Sequence, residues 1–359
     1  MFLSFVSSLS FVWGKAWPIL IALLFFGVVI MVHELGHFSF AKLFNVKINE
    51  FSLGMGPALF KKQKGETKYA LRLFPIGGYV NMEGEDEESD DERAFCKKPV
   101  WQRFIIVAMG ATINLILGFA IVSILLTQTD LIGTPNIRGF YEGASSNVQG
   151  LQEDDKILEI NNKVVYSEFD ITFLMMRQKD GIMDFTVERD GEKVKLTDIE
   201  FETKQIDGNN VIIYDFYIKG VEPTFVNVIK NGFLETASMG RMVWVSLFDI
   251  VTGQFGLSDI SGPIGVVGYI AEAAGVSTEK DFTPILTLMA LITINIGIFN
   301  LLPVPALDGG RLFFMLIEMV RRKPVPAKYE NYIHAVGLVI LLTFMAVISM
   351  SDIVNLIRG

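Results

Sequence analysis

Four apolar blocks, residues 18–41, 104–127, 284–302 and 333–350, constrain this chain more than any other feature. Each is close to the ~20 residues that a helix rising ~1.5 Å per residue needs to cross a bilayer core. A soluble α/β protein carries roughly a quarter of its residues charged, whereas only 20% of these 359 residues are, and the shortage is concentrated in the blocks. The expectation is a polytopic α-helical membrane protein with four transmembrane helices. The net charge of −9 lacks the basic footprint of a nucleic-acid binder. The single Cys96 can build neither an internal disulfide nor a thiolate metal site. Residues 1–14 hold no basic residue and the block that follows is long, so the start reads as a span rather than a cleavable signal.

Orientation follows from Lys and Arg counts in the short flanks. Residues 42–103 hold eleven and residues 311–328 hold five, while Lys15 and Arg358 stand nearly alone near the two ends. Blocks one and two are therefore joined inside, as are three and four, and both termini face out. Residues 1–127 form the first half of a membrane core. Residues 128–223, outside, are polar with turn signals at Asn161-Asn162 and Asp190-Gly191, and alternate through Phe185-Thr186-Val187 and Val194-Lys195-Leu196. They predict a small β-rich domain. Residues 224–282 form a linker whose stretch 225–252 is helical but mixed in polarity, which suits an amphipathic helix on the membrane surface. Residues 283–359 form the second half of the core. In the inner loop, residues 66–83 alternate and predict a β-hairpin on the inner face. The eight acids among residues 83–92 read as a solvated tether.

Block one ends in His33-Glu34-Leu35-Gly36-His37. On a helix, positions i and i+4 share a face, so both imidazoles can reach one metal while Glu34 sits near a metal-bound water. Such a site supplies a Lewis acid and a general base together. Ionisable groups at membrane depth are expensive and mark function by default. Two histidines do not complete a zinc site. The best third ligand is Asp308, which follows two prolines and precedes two glycines in Asn300-Leu301-Leu302-Pro303-Val304-Pro305-Ala306-Leu307-Asp308-Gly309-Gly310. Broken backbone at membrane depth is tolerated where protein or a wet cavity covers it. Glu318, expected to pair with Arg321 and Arg322, and His334, expected at the interface, are weaker rivals. Zn²⁺ with two neutral imidazoles and the carboxylates of Asp308 and Glu34 sums to zero formal charge, which suits a poor solvent. The stretch Ile76-Gly77-Gly78-Tyr79, within the predicted hairpin, offers a strand edge to which an extended peptide can add.

These motifs together resemble the bacterial site-2 proteases, intramembrane zinc metalloproteases of the RseP/RasP type. The resemblance rests on His33 to His37, residues 74–80, Ser261-Gly262-Pro263-Ile264-Gly265 and residues 300–310, and it covers nearly the whole chain in order. The outer segment is similar to a single PDZ domain through residues 142–146 and 150–161, although Glu153-Asp154-Asp155 replaces the usual Pro-Gly-Asp. The resemblance implies zinc held by His33, His37 and Asp308, Glu34 as catalytic base, and Asn300, Pro303 and Pro305 helping to hold unwound substrate. It also implies a bacterial inner membrane and cleavage of single-span membrane proteins, such as anti-sigma factors or remnant signal peptides, after a first cut by another protease. A metal or proton transporter should carry ionisable residues along several spans, yet blocks two and four are nearly free of them. A non-catalytic PDZ scaffold would have no need of the ligands and the base, and all are present.

Overall fold

The computed structural model describes residues 2–85, 87–178, 180–206, 209–253, 262–276 and 282–358; Ser261 of the quoted motifs lies outside them. In chain order the elements are α1 (Phe2–Leu43), β1 (Ile48–Lys64), β2 (Thr67–Met82), α2 (Val100–Thr127), β3 (Ile132–Phe140), α3 (Ser145–Val148), β4 (Lys156–Ile160), β5 (Lys163–Val164), α4 (Glu168–Met176), β6 (Ile182–Arg189), β7 (Glu192–Glu200), β8 (Thr203–Ile206), β9 (Asn209–Ile212), β10 (Phe216–Val221), α5 (Phe225–Val251), α6 (Pro263–Val276), α7 (Thr283–Leu301), α8 (Asp308–Arg321) and α9 (Ala327–Arg358). They form two compact units, one of residues 1–118 and 247–359 and the other of residues 119–246.

Among the described residues, four helical stretches are long and apolar enough to span a membrane: Leu20–Leu43, Val100–Thr127, Thr283–Leu301 and Lys328–Val354. They coincide with the four blocks, because a helix satisfies every backbone group internally and leaves its apolar side chains for lipid. Leu338, Val339, Ile340 and Leu342 on α9 are exposed accordingly. The stretch 225–252 does form a helix, α5, which is not among the four.

The β-sheet of the first unit differs from its sequence expectation in extent. The turn lies at Gly65 and Glu66, and β2 pairs with the whole of β1. Gly54 and Gly56, at φ +86° and +82°, let β1 bend. Residues Glu50, Phe51, Ser52 and Leu53 consequently face Lys68, Tyr69, Ala70 and Leu71 on one side and Asn81, Val80, Tyr79 and Gly78 on the other. One polar network pins these layers: the Glu50 carboxylate accepts hydrogen bonds from Lys68 Nζ (2.6 Å), Arg72 Nη2 (2.6 Å) and Tyr79 Oη (2.8 Å). Partial burial pushes the Glu50 pKa up, but these three donors outweigh it and hold the carboxyl at about 2. The alternation missed the first strand because the glycines interrupt its period. The acid run also departs from the expected tether. Glu83 accepts from Ser89 (2.6 Å) and Asn49 (2.9 Å), Asp91 pairs with Lys47 at 3.0 Å, and Glu85 pairs with Arg311 of α8. Beneath, Ala41, Ile48, Val80, Met82, Ile106, Val107, Leu312 and Met315 join α1, the sheet, α2 and α8 in one core.

In the second unit the strands run β10-β3-β4-β6-β7 across one sheet, with β5 paired to β4. The predicted alternation appears as cross-strand pairs: Phe185 opposite Leu196, and Val187 opposite Val194. Asn161-Asn162 and Asp190-Gly191 all take positive φ, as tight two-residue hairpins demand. Phe185, Ile157, Ile137 and Met175 are wholly buried in its core. Asp170 of α4, also buried, accepts from Arg241 (2.6 Å) and Ser238 (2.7 Å) of α5.

Burial, reinforced by the nearby carboxylates of Glu168 and Asp170, pushes the Glu235 carboxyl up to about 7. A raised acid binds its proton more tightly in the folded than in the unfolded chain. Stability therefore falls as pH rises from about 4.5 through about 7, and levels off above. Glu235→Gln is expected to raise the melting temperature relative to the parent chain at pH 8 and to leave it unchanged at pH 4.5. Parallel melts at the two pH values check this; equal effects at both would contradict it.

Candidate metal centre and active site

The site is built from α1, the first part of α2, the last part of β2 and the head of α8, all within the first unit. His33 and His37 lie one turn apart on α1, with ring centroids 4.8 Å apart and planes at 83°. Their Nε2 atoms are 3.1 Å from each other. Asp308 Oδ2 lies 3.1 Å from His33 Nε2 and 3.2 Å from His37 Nε2. The three donors thus form a nearly equilateral triangle. A tetrahedral zinc with bonds of about 2.0 to 2.1 Å needs ligand atoms about 3.3 to 3.4 Å apart, so the triangle fits three corners and leaves a fourth open.

Donor chemistry passes the same test. Asp308 Oδ2 is fully buried and receives no hydrogen bond, although two imidazole nitrogens stand close to it. Buried carboxylate oxygens are almost always satisfied, and a lone pair aimed at a point shared with two imidazoles suits a cation. The far side of each ring is also held. His37 Nδ1–H donates to the Ile106 carbonyl at 2.9 Å, which leaves Nε2 as the lone-pair nitrogen. The amide of Asn114, fully buried on α2, lies 3.4 Å from His33 Nδ1, and its oxygen has no partner in the assigned orientation. Turning the amide brings that oxygen to the imidazole N–H and satisfies both groups.

Glycines make the approach possible. A Cβ at Gly36 would lie 2.4 Å from the Met109 carbonyl oxygen, so α1 and α2 touch backbone to backbone there. A Cβ at Gly110 would lie 2.3 Å from His37 Nε2 and 2.9 Å from His33 Cε1. Asp308 is the first residue of α8 rather than part of the irregular segment before it. That segment, residues 302–307, is short because Pro303 and Pro305 cannot continue α7.

A cavity of about 960 Å³ opens on the triangle, with His33, Glu34, His37, Gly78, Tyr79 and Asp308 in its wall. Gly78 brings the edge of β2 to Glu34: a Cβ there would lie 3.0 Å from Glu34 Cγ. Gly77, Asn300, Pro303 and Pro305 are not in that wall, and the side chain of Ile76 lies outside the described residues. Gly77, at φ +82°, seats the Met55 side chain, and Pro305 packs against Gly337 of α9. Glu318 pairs with Arg103 of α2 at 2.5 Å instead of with its helix neighbours. His334 is turned to the segment before Asp308 rather than to an interface: its Nδ1 accepts the Ala306 N–H at 3.0 Å. Sequence reasoning missed Asn114, Gly110 and the Ile106 carbonyl as parts of the site. The first two belong to a small and polar stretch within an otherwise apolar span, which is a usable signal; a carbonyl acceptor leaves none.

The model of peptidase family M50 matches residues 21–344, through both the paired histidines and Asp308. The chain belongs to peptidase family M50. This M50 peptidase is similar to a protein that carries a zinc metalloprotease name in Fusobacterium nucleatum, with 36% identity over 93% of this chain and 98% of the relative. A similarly named protein of Clostridium acetobutylicum is 35% identical over 94% of this chain and 97% of its own length. The regulator of sigma-W protease RasP of Bacillus subtilis is 27% identical over 93% and 97%. The M50 peptidase is a zinc metalloprotease of the site-2 class, and its bacterial relatives together with the four long apolar helices among the described residues mark it as a bacterial membrane protein.

Proposed function

We propose that His33, His37 and Asp308 hold the zinc of this protease, that Glu34 is its general base, and that it cuts single-span membrane proteins within or beside the bilayer. The single observation carrying this reading is the triangle of donors with edges of 3.1 to 3.2 Å, open to a cavity that also holds Glu34. Zinc, when bound, polarises a substrate carbonyl and activates a water. Glu34 takes the proton of that water and passes it to the leaving amine. His37 and His33 keep their far nitrogens engaged with Ile106 and Asn114, which holds both rings in register. Substrate unwinds and adds as a strand to the edge at Gly78 and Tyr79, so its freed backbone groups are satisfied where water is scarce. Pro303 and Pro305 support this indirectly, because they end α7 and shape the segment that leads to Asp308.

Residues 128–223 are PDZ-like and admit substrates whose outer part has already been trimmed. Residues 224–282 act as a membrane-surface linker between the two halves of the core, 1–127 and 283–359. The termini and the PDZ-like domain face out and the site lies toward the cytoplasm, as the eleven Lys and Arg among residues 42–103 favour. One relative is named as a regulator of sigma-W protease, a name that fits anti-sigma factors as substrates; remnant signal peptides, also short single-span chains, belong to the same proposed class.

The test uses the full chain in detergent with a model single-span substrate. Chelation is expected to abolish cleavage and added zinc to restore it. Asp308→Asn is expected to lose bound zinc and at least about 100-fold of activity. Cleavage that survives chelation, or full zinc content in Asp308→Asn, would overturn the reading.

A further inference from the structure

Asp308 is the one proposed ligand that does not come from α1, and something must aim it. Six residues separate α7 from α8, and their backbone is unusual. Pro303 and Pro305 carry no N–H. Val304 N–H donates to the Leu302 carbonyl at 2.6 Å and Leu307 N–H to the Val304 carbonyl at 3.2 Å, so both stay within the segment. Ala306 N–H instead leaves the segment and donates to His334 Nδ1 of α9 at 3.0 Å. Ala306 also sits at φ +77°, a left-handed conformation that a residue with a Cβ resists and that persists only where its surroundings enforce it.

α9 supplies that enforcement through one face. Three residues after His334, a Cβ at Gly337 would lie 2.3 Å from Pro305 Cβ and 3.1 Å from its carbonyl oxygen, so the bare helix backbone bears on the segment. The imidazole also packs against Phe314 of α8, with ring centroids 5.8 Å apart. A Cβ at Gly310 would lie 3.0 Å from His334 Cε1, so α8 closes on the ring where it bears no side chain. The imidazole therefore touches both the turn before Asp308 and the helix that Asp308 begins.

We infer that His334 is a positioning residue: by accepting the Ala306 N–H it holds the left-handed turn that points the Asp308 carboxylate at His33 and His37. The inference rests on the reading of Asp308 as a zinc ligand. Because Nδ1 accepts, the proton of the neutral ring sits on Nε2, and the role needs an acceptor at Nδ1 rather than a charge. Asparagine places its amide oxygen close to the position of Nδ1, whereas phenylalanine keeps the ring volume and offers no acceptor.

The experiment measures zinc affinity by chelator competition, together with kcat and KM for a single-span substrate, on the full chain in detergent. His334→Phe is expected to weaken zinc binding by about 10- to 100-fold and to lower kcat with KM little changed. His334→Asn is expected to recover most of both. Ala306→Gly, which takes a positive φ freely, is expected to shrink the deficit of His334→Phe; a role limited to packing α9 would not respond to it. Parental zinc affinity in His334→Phe, no recovery in His334→Asn, or an undiminished deficit in the Ala306→Gly background would each overturn the inference. Should His334→Phe fail to fold, Gly337→Ala takes its place, expected to weaken zinc by the same order; parental affinity there overturns it equally. Asp308→Asn in the same assay separates the two readings. If it keeps its zinc, the ligand assignment fails; if it loses zinc while His334→Phe does not, only the positioning role fails.

Discussion

Glu34→Gln is expected to retain a full complement of zinc and to lose about a thousandfold of kcat, since a general base contributes roughly 10² to 10⁴ in rate. Glutamine keeps the shape of the side chain and removes its ability to accept a proton. Glu34 lies outside the triangle of donors, whose edges involve only His33, His37 and Asp308, so metal binding has no reason to change. Packing of the side chain against Gly78 is preserved for the same reason of shape. Zinc content by atomic absorption and single-turnover cleavage check both halves. Parental cleavage by this variant would remove Glu34 from the mechanism, and loss of zinc would make it a ligand instead.

Gly110→Ala is expected to cost at least about 100-fold in zinc affinity and a comparable factor in activity, because displacing a catalytic group by about 1 Å can cost that much. The added methyl would sit 2.3 Å from His37 Nε2 and 2.4 Å from His37 Cε1, distances that real Cβ contacts essentially never show. α2 cannot retreat easily. α7 packs closely on it, since a Cβ at Gly297 would be 3.2 Å from the Ala111 carbonyl of α2. The rings must therefore turn away from Asp308. Chelator competition on the folded variant is the deciding measurement; parental zinc affinity would mean that the helices separate instead.

The spans were legible because their signal is local and needs no partner: twenty apolar residues in a row suit a helix in lipid whatever surrounds them. The β4–β5 and β6–β7 hairpins were legible for a related reason, since Asn161-Asn162 and Asp190-Gly191 set the turns and alternation sets the faces. The first sheet was only half legible. Residues 67–82 alternate, but the partner strand is bent by Gly54 and Gly56 and its pairing on two sides follows from that bend. The acid run was misjudged because composition reports repulsion and is blind to the cations, Lys47 and Arg311, that the fold brings to it. Likewise Glu318 has two arginines nearby in sequence, yet pairs with Arg103, 215 positions away.

Residue identity and spacing alone determined the number of spans, the paired imidazoles on one helix face, the base between them and the candidacy of Asp308, because each of these is set by neighbours within a turn or two of the chain. Tertiary structure alone decided that Asp308 comes within 3.2 Å of both imidazoles, that Asn114 and the Ile106 carbonyl hold the rings, and that His334 faces the turn before Asp308. Those relations depend on how closely one helix backbone can approach another. That distance is set by the absence of a Cβ at Gly36, Gly110 and Gly337, which takes on meaning only when the opposing surface is in place.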